Sequence, residues 1–181
     1  MIKYCFIEDE ETGLVQLGVG CPDSYYESIG MERRNVDQSE IDGLWYLKNK
    51  CPHYTDEEKL TNAKNDKYEE ALTDANSYIS NGIAAFKFDE NNSIEATDGN
   101  IGKFTAYALA FQSGLVEQVL WTSKEDNVIT LNAEDVLTIL MGLGEIQANV
   151  WNVKFVAYKN LIDEAKTVEE VEAIEIDYEN Q

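Results

Sequence analysis

Cys51-Pro52-His53 brings the only histidine of the chain within two residues of a thiol. A thiolate–imidazole pair is the chemistry of nucleophilic catalysis, and Cys5 and Cys21 would complete a Cys3His count for tetrahedral zinc. The spacing supports neither. No Cys-x-x-Cys knuckle is present, and the separations between the three cysteines are wide and irregular. Glu125-Asp126 and Glu134-Asp135 supply the paired carboxylates that glycoside hydrolysis or a metal would use. Each pair falls where a turn or a helix start already favours acids. Gly142-x-Gly144 sits inside a helical pattern and is not a phosphate-binding loop. The expectation is a non-enzymatic protein with no catalytic residue, cofactor or metal.

Charge narrows the partners. The chain has 181 residues, with 35 Asp and Glu against 14 Lys and Arg, a formal net charge of −21. Nucleic-acid binders release counterions through a basic stripe, and anionic membranes attract basic segments, so neither partner is expected. The acids are spread: residues 1–60 carry 13 acids and 6 bases, and residues 61–181 carry 22 and 8. Hydrophobic residues at 44% suffice for a core. No run reaches the ~18 to 20 apolar residues of a membrane span. The apolar run Ile2 to Ile7 meets Glu8-Asp9-Glu10-Glu11 at once, unlike a signal peptide. The expected setting is a cytoplasm, with reduced thiols.

The elements follow from period and punctuation. Residues 2–7 and 14–19 read as strands around an acidic turn; Ser24 to Ile29 reads as a helical turn closed by Gly30, and Leu44 to Leu47 as a third strand. These make a small β-rich module over residues 1–50. Pro52 ends it. Thr55 with Glu58 forms a capping box for a helix carrying Leu60, Tyr68, Ala71, Leu72, Ala75 and Ile79 on one stripe, stopped at Asn81-Gly82. Residues 51–82 are thus expected as a linking helix, either a spacer or half of a self-pairing interface.

Residues 83–181 read as a third part. Ile83 to Phe88 and Ser93 to Ala96 flank a polar turn, a helix from Gly99 to Gln112 presents Phe104, Tyr107, Ala108 and Phe111, and Val119 to Trp121 pairs with Val128 to Leu131. Asn132 caps a helix with Asp135 at its third position, and Leu131 is placed to staple onto Val136. Continuous to Ala165, that helix spans about 50 Å. Its apolar residues cover more than one face, which predicts burial on several sides. Gly142 and Gly144 mark a kink or a close contact, and Thr167 with Glu170 opens a last short helix. The fold class expected is α+β: two short hairpins packed on helices, one of them long, behind the β-rich module.

The order Phe88-Asp89, Phe104 to Phe111, Trp121, Asp126-Asn127-Val128 and Thr167 to Ile174 resembles a domain-of-unknown-function family of bacteriophage and prophage tail-fibre and tail-associated proteins, over residues 86–177. The resemblance implies a C-terminal tail-protein domain behind a variable N-terminal module. It carries no catalytic residue, and Gln147 or a neighbour stands where many relatives have a histidine. It implies a virion or tail-associated structural protein, a fibre component, adaptor or assembly factor, contacting other tail proteins or itself. Tyr25, Tyr26, Trp45 and Tyr46 are the partner-binding candidates. The alternative is an acidic decoy that occupies the groove of a host nucleic-acid-binding defence protein.

Overall fold

The computed structural model describes residues 1–179. It divides into two compact units, Met1–Lys59 and Leu60–Gln181. The first is a four-stranded antiparallel sheet in the order β2-β1-β3-β4, with β1 at Ile2–Ile7, β2 at Val15–Leu17, β3 at Glu32–Gln38 and β4 at Trp45–Leu47. A short helix α1, Asp23–Ser28, precedes β3. A bridge between Leu14 and Tyr46 brings the two sheet edges together, so the sheet curls around its core. That core is small: Cys5, Val15 and Val36 are buried, with Ile7, Leu17, Trp45 and Leu47 packed against them.

Strand β3 is the element the sequence hides. Its residues read Glu-Arg-Arg-Asn-Val-Asp-Gln, with one apolar side chain to mark a face. It nonetheless occupies an interior position, pairing Cys5 with Glu32 on one side and Val36 with Leu47 on the other. Backbone pairing on both edges satisfies its polar groups, and Val36 alone, fully buried, anchors it.

The second unit is built on helices. Helix α2, Asp56–Ser80, starts on the expected reciprocal cap: Thr55 N–H donates to the Glu58 carboxylate at 2.8 Å, and Glu58 N–H donates to Thr55 Oγ1 at 3.2 Å. Gly82, at φ +67°, turns the chain out of it. Ala71, Ala75 and Ile79 are buried in the main core. The helix set apart at 51–82 therefore supplies core to the second unit.

Two hairpins alternate with helices. β5 (Ala85–Lys87) pairs with β6 (Ser93–Glu95), and β7 (Val119–Thr122) pairs with β8 (Val128–Leu131). Between them runs α3, Asp98–Gln112, capped by Thr97, whose side chain accepts from Asn100 N–H. Helix α4, Ala133–Ala148, has the capping box read from Asn132 and Asp135. It passes through a π-helical segment, Asn149–Phe155, into α5, Val156–Glu164. The short α6, Val168–Glu172, is capped by Thr167. The architecture is α+β as expected. The π segment is the departure, because nothing in its residues separates it from a continued α-helix.

The core gathers Ile94, Phe104, Leu131, Val136, Ile139, Leu143 and Tyr158, all buried. Trp121 and Trp151 are half-buried at its margin, Trp121 tilted against Phe104 with ring centres 4.7 Å apart. Gly142 marks a close contact, made with the Phe86 ring rather than with a helix.

Candidate protein-contact face

The chemistry-bearing residues separate. Cys5 is buried in the sheet core, Cys21 is exposed and Cys51 half-buried, all three as free thiols. The Cys51 Sγ lies 3.8 Å from the Pro52 carbonyl, while His53 Nδ1 is 3.9 Å from Glu40. Burial pushes the Cys51 thiol upward, with the nearby carboxylates of Asp37, Asp42 and Glu40 adding to the shift. A thiol so placed is a poor nucleophile at neutral pH. Among the described residues no group of three or more His, Cys, Asp or Glu side chains is arranged to hold a metal ion.

The paired acids are local struts. Asp135 closes the α4 capping box, and Glu134 N–H donates to Asn132 Oδ1 at 2.8 Å. Glu125 accepts the Ser93 N–H at 2.7 Å, a bond that holds its carboxyl down to about 2. Asp126 adopts φ +62°, the left-handed conformation that Asp tolerates better than most residues. Beside this turn a polar cleft of about 490 Å³ is lined by Trp121, Lys103, Lys124, Asn100, Glu95 and Asp126, among others. The Lys103 ammonium lies over the Trp121 ring at 5.4 Å, and Lys124 Nζ donates to the Gly82 carbonyl at 2.7 Å.

The four aromatic candidates of the first unit do not share one surface. Tyr26 is buried against Tyr4, and its hydroxyl accepts the Cys21 N–H at 2.7 Å. Trp45 packs on the small sheet core. Tyr46, next in the strand and so on the opposite face, donates to Asp42 at 2.8 Å. Tyr25 is half exposed. Tyr25 is open to a partner, and Trp45 and Tyr46 are each partly exposed.

Exposed apolar side chains also stand together on α3 and α4. A groove of about 520 Å³ runs between them, lined by Thr105, Ala108, Leu109, Phe111, Gln112, Ala133 and Leu137. Leu109 is 61% exposed, Leu137 53% and Met141 75%. No charged residue occurs from Phe104 to Val116, nor from Val136 to Gly144. In a chain that is 27% charged, two neighbouring helices thus each carry an uncharged stretch, the second bordered by exposed Glu134 and Glu145. Depletion of charge at the centre is the compositional mark of protein interfaces. Sequence reading missed it because an apolar helix position does not say whether anything covers it. The two charge gaps were the available signal.

No family model, curated protein or solved structure matches the chain. No helix among the described residues is long and apolar enough to cross a membrane.

Proposed function

We propose that the protein is a non-enzymatic, tail-associated bacteriophage or prophage protein that works through protein–protein contacts, as a fibre component, adaptor or assembly factor. The observation that carries the contact reading is the exposed apolar set Leu109, Leu137 and Met141 on α3 and α4, in a chain of net charge −21. Burial of apolar surface contributes ~25 cal/mol per Å². Leu109, Leu137 and Met141 stand in water in the free chain. The tail setting comes from the resemblance over residues 86–177.

The test is capture of partners from phage-infected lysate, washed at low salt and again near ~0.5 M, where charges are screened beyond a few Å. A tail protein that survives the high-salt wash, and is lost with Met141→Glu, supports the reading. A nucleic-acid-binding host protein that leaves at high salt overturns it in favour of the acidic decoy.

A further inference from the structure

The polar cleft beside the Asp126 turn lies between the two hairpins. Lys124 N–H donates to the Ser93 carbonyl at 2.9 Å and joins the end of β7 to β6. Beyond that bond Ile94 and Glu95 line one wall and Leu120 to Lys124 the other, around about 490 Å³. We propose that this cleft is a carbohydrate site, holding one neutral pyranose ring against Trp121 and bonding its hydroxyls through Asp126, Glu95 and the outer edge of β7. It shares no lining residue with the α3–α4 groove, and neither reading depends on the other.

The walls carry donors and acceptors that the fold leaves open. Ser123 N–H donates to the Asn127 carbonyl across the hairpin. The alternation of an antiparallel pair then turns the main chain of Trp121 inward and that of Leu120 and Thr122 to the outer edge. On β6 the Glu95 carbonyl is taken by Asn100 Nδ2 at 3.1 Å. Among the described residues the carboxylates of Glu95 and Asp126 and the Thr122 hydroxyl make no side-chain hydrogen bond. A hydroxyl both donates and accepts, so a ligand with several of them can use carboxylates and main-chain groups together. An added peptide strand would need a longer edge. Here only two outward residues precede the point where Lys124 closes onto Ser93.

Charge and the ring select the ligand class. Glu95 and Asp126 are matched by Lys103 and Lys124, which leaves the cleft neutral in a chain of −21. A phosphate would need a surplus of cations, and Lys124 Nζ is already held by the Gly82 carbonyl at 2.7 Å. The Trp121 ring packs on Phe104 and Tyr107. Its cleft face carries only the Lys103 ammonium, 5.4 Å from the ring centre. An aromatic face that attracts a cation also receives the polarised C–H groups of a pyranose. Lys103 is exposed and has no carboxylate partner among the described residues, so it can leave the ring as a sugar seats. Clefts of ~300 to 1,000 Å³ hold small ligands.

Nuclear magnetic resonance titration of the whole isotope-labelled chain tests this, with methyl glucopyranoside, methyl mannopyranoside, methyl galactopyranoside and N-acetylglucosamine as probes. At least one of these sugars should shift the Trp121 indole N–H and the amides of residues 94–100 and 120–126 saturably. The Trp45 and Trp151 indoles should stay in place. Asp126→Asn keeps the left-handed turn, which Asn tolerates as Asp does. It should weaken binding about fivefold by removing a charged acceptor. Trp121→Phe keeps an aromatic ring in the core but narrows the platform, and it should weaken binding about tenfold. The absence of a saturable shift with every sugar overturns the proposal, as does unchanged affinity in either variant. Shifts of the same amides by inorganic phosphate alone overturn it as well.

Discussion

The ring of Phe86 lies on the backbone of Gly142, so near that a Cβ at 142 would come within 2.2 Å of a ring carbon. Phe86 is the middle residue of β5, paired with Ile94. This contact seats the first hairpin on α4. Glycine is needed at 142 for space alone, since its backbone is not in the left-handed region. Gly144, two residues on, faces open space. The two substitutions should therefore have opposite signs. Gly142→Ala is expected to destabilise by ~1 to 3 kcal/mol, the usual cost of overpacking. Gly144→Ala should stabilise by roughly 0.4 to 1 kcal/mol through helix propensity and a less free unfolded chain. Urea denaturation followed by Trp fluorescence separates them. Shifts of the same sign would mean that Phe86 does not hold its place.

The second hairpin is stitched to the first at Ser93 and at the turn, where Asn127 Nδ2 donates to the Asn91 carbonyl and to Asn92 Oδ1. Lys124 N–H donates to the Ser93 carbonyl at 2.9 Å, and Ser93 N–H donates to the Glu125 carboxylate. The backbone N–H of Ser93 is the leading cause of the lowered Glu125 value, about 2 against the usual 4.5. A depressed carboxyl contributes stability that is complete above its unfolded value and is lost as pH falls through its folded value. Between about pH 4.5 and pH 2 the wild type should thus lose stability that Glu125→Gln never had. Acid titrations of both chains, followed by far-ultraviolet circular dichroism, should converge at the acid end. Parallel curves throughout would remove Glu125 from the acid response.

Local signals were readable in the sequence where a few neighbouring residues decide the outcome. Thr55 with Glu58, Asn132 with Asp135 and Thr167 before Glu170 all cap as their spacing implies, because a cap is satisfied within one turn. Both hairpins and the turn-out at Gly82 follow from the same kind of information. Strand β3 was not readable, since its place comes from neighbours on both edges and only Val36 reports burial. The π segment was not either: Asn149 to Phe155 carries no glycine or proline to mark it. At the contact face, composition placed apolar residues on several sides of the long helix. Tertiary packing alone decides that Leu143 is covered and Met141 is not.

Tyr26 tests the division of the aromatic set. Its ring packs 5.5 Å from that of Tyr4, and a Cβ at Gly18 would come within 2.7 Å of it. Tyr26→Ala is expected to cost ~3 to 5 kcal/mol, as large core aromatics do. A unit with so few buried residues should not survive that loss. Tyr25→Ala, at a half-exposed position, should stay within about 0.5 kcal/mol of wild type. Amide hydrogen exchange in β1 and β3 reads the difference. Protection retained in Tyr26→Ala would show that α1 is dispensable to the sheet.

Tyr178 closes the second unit from its far end. Its hydroxyl donates to the Ala71 carbonyl of α2 at 3.1 Å, and its ring stands 5.4 Å from Tyr158 and 6.2 Å from Tyr78. Lys154 Nζ donates to its carbonyl at 2.7 Å. Burial, the largest cause, raises the phenol to about 12, with Tyr158 and Asp74 adding to it. A raised acid of this kind contributes stability that is whole below the unfolded value near 10 and falls away toward 12. The unfolded chain ionises first, so alkali draws the equilibrium toward it. Tyr178→Phe removes the titration together with one hydrogen bond worth ~0.5 to 1.5 kcal/mol. At pH 7 the variant should therefore be the weaker protein. The gap should close, and can reverse, as the pH passes from 10 to 12. Thermal melts at intervals across that range measure it. A constant gap would mean that Tyr178 titrates alike in the folded and unfolded chain.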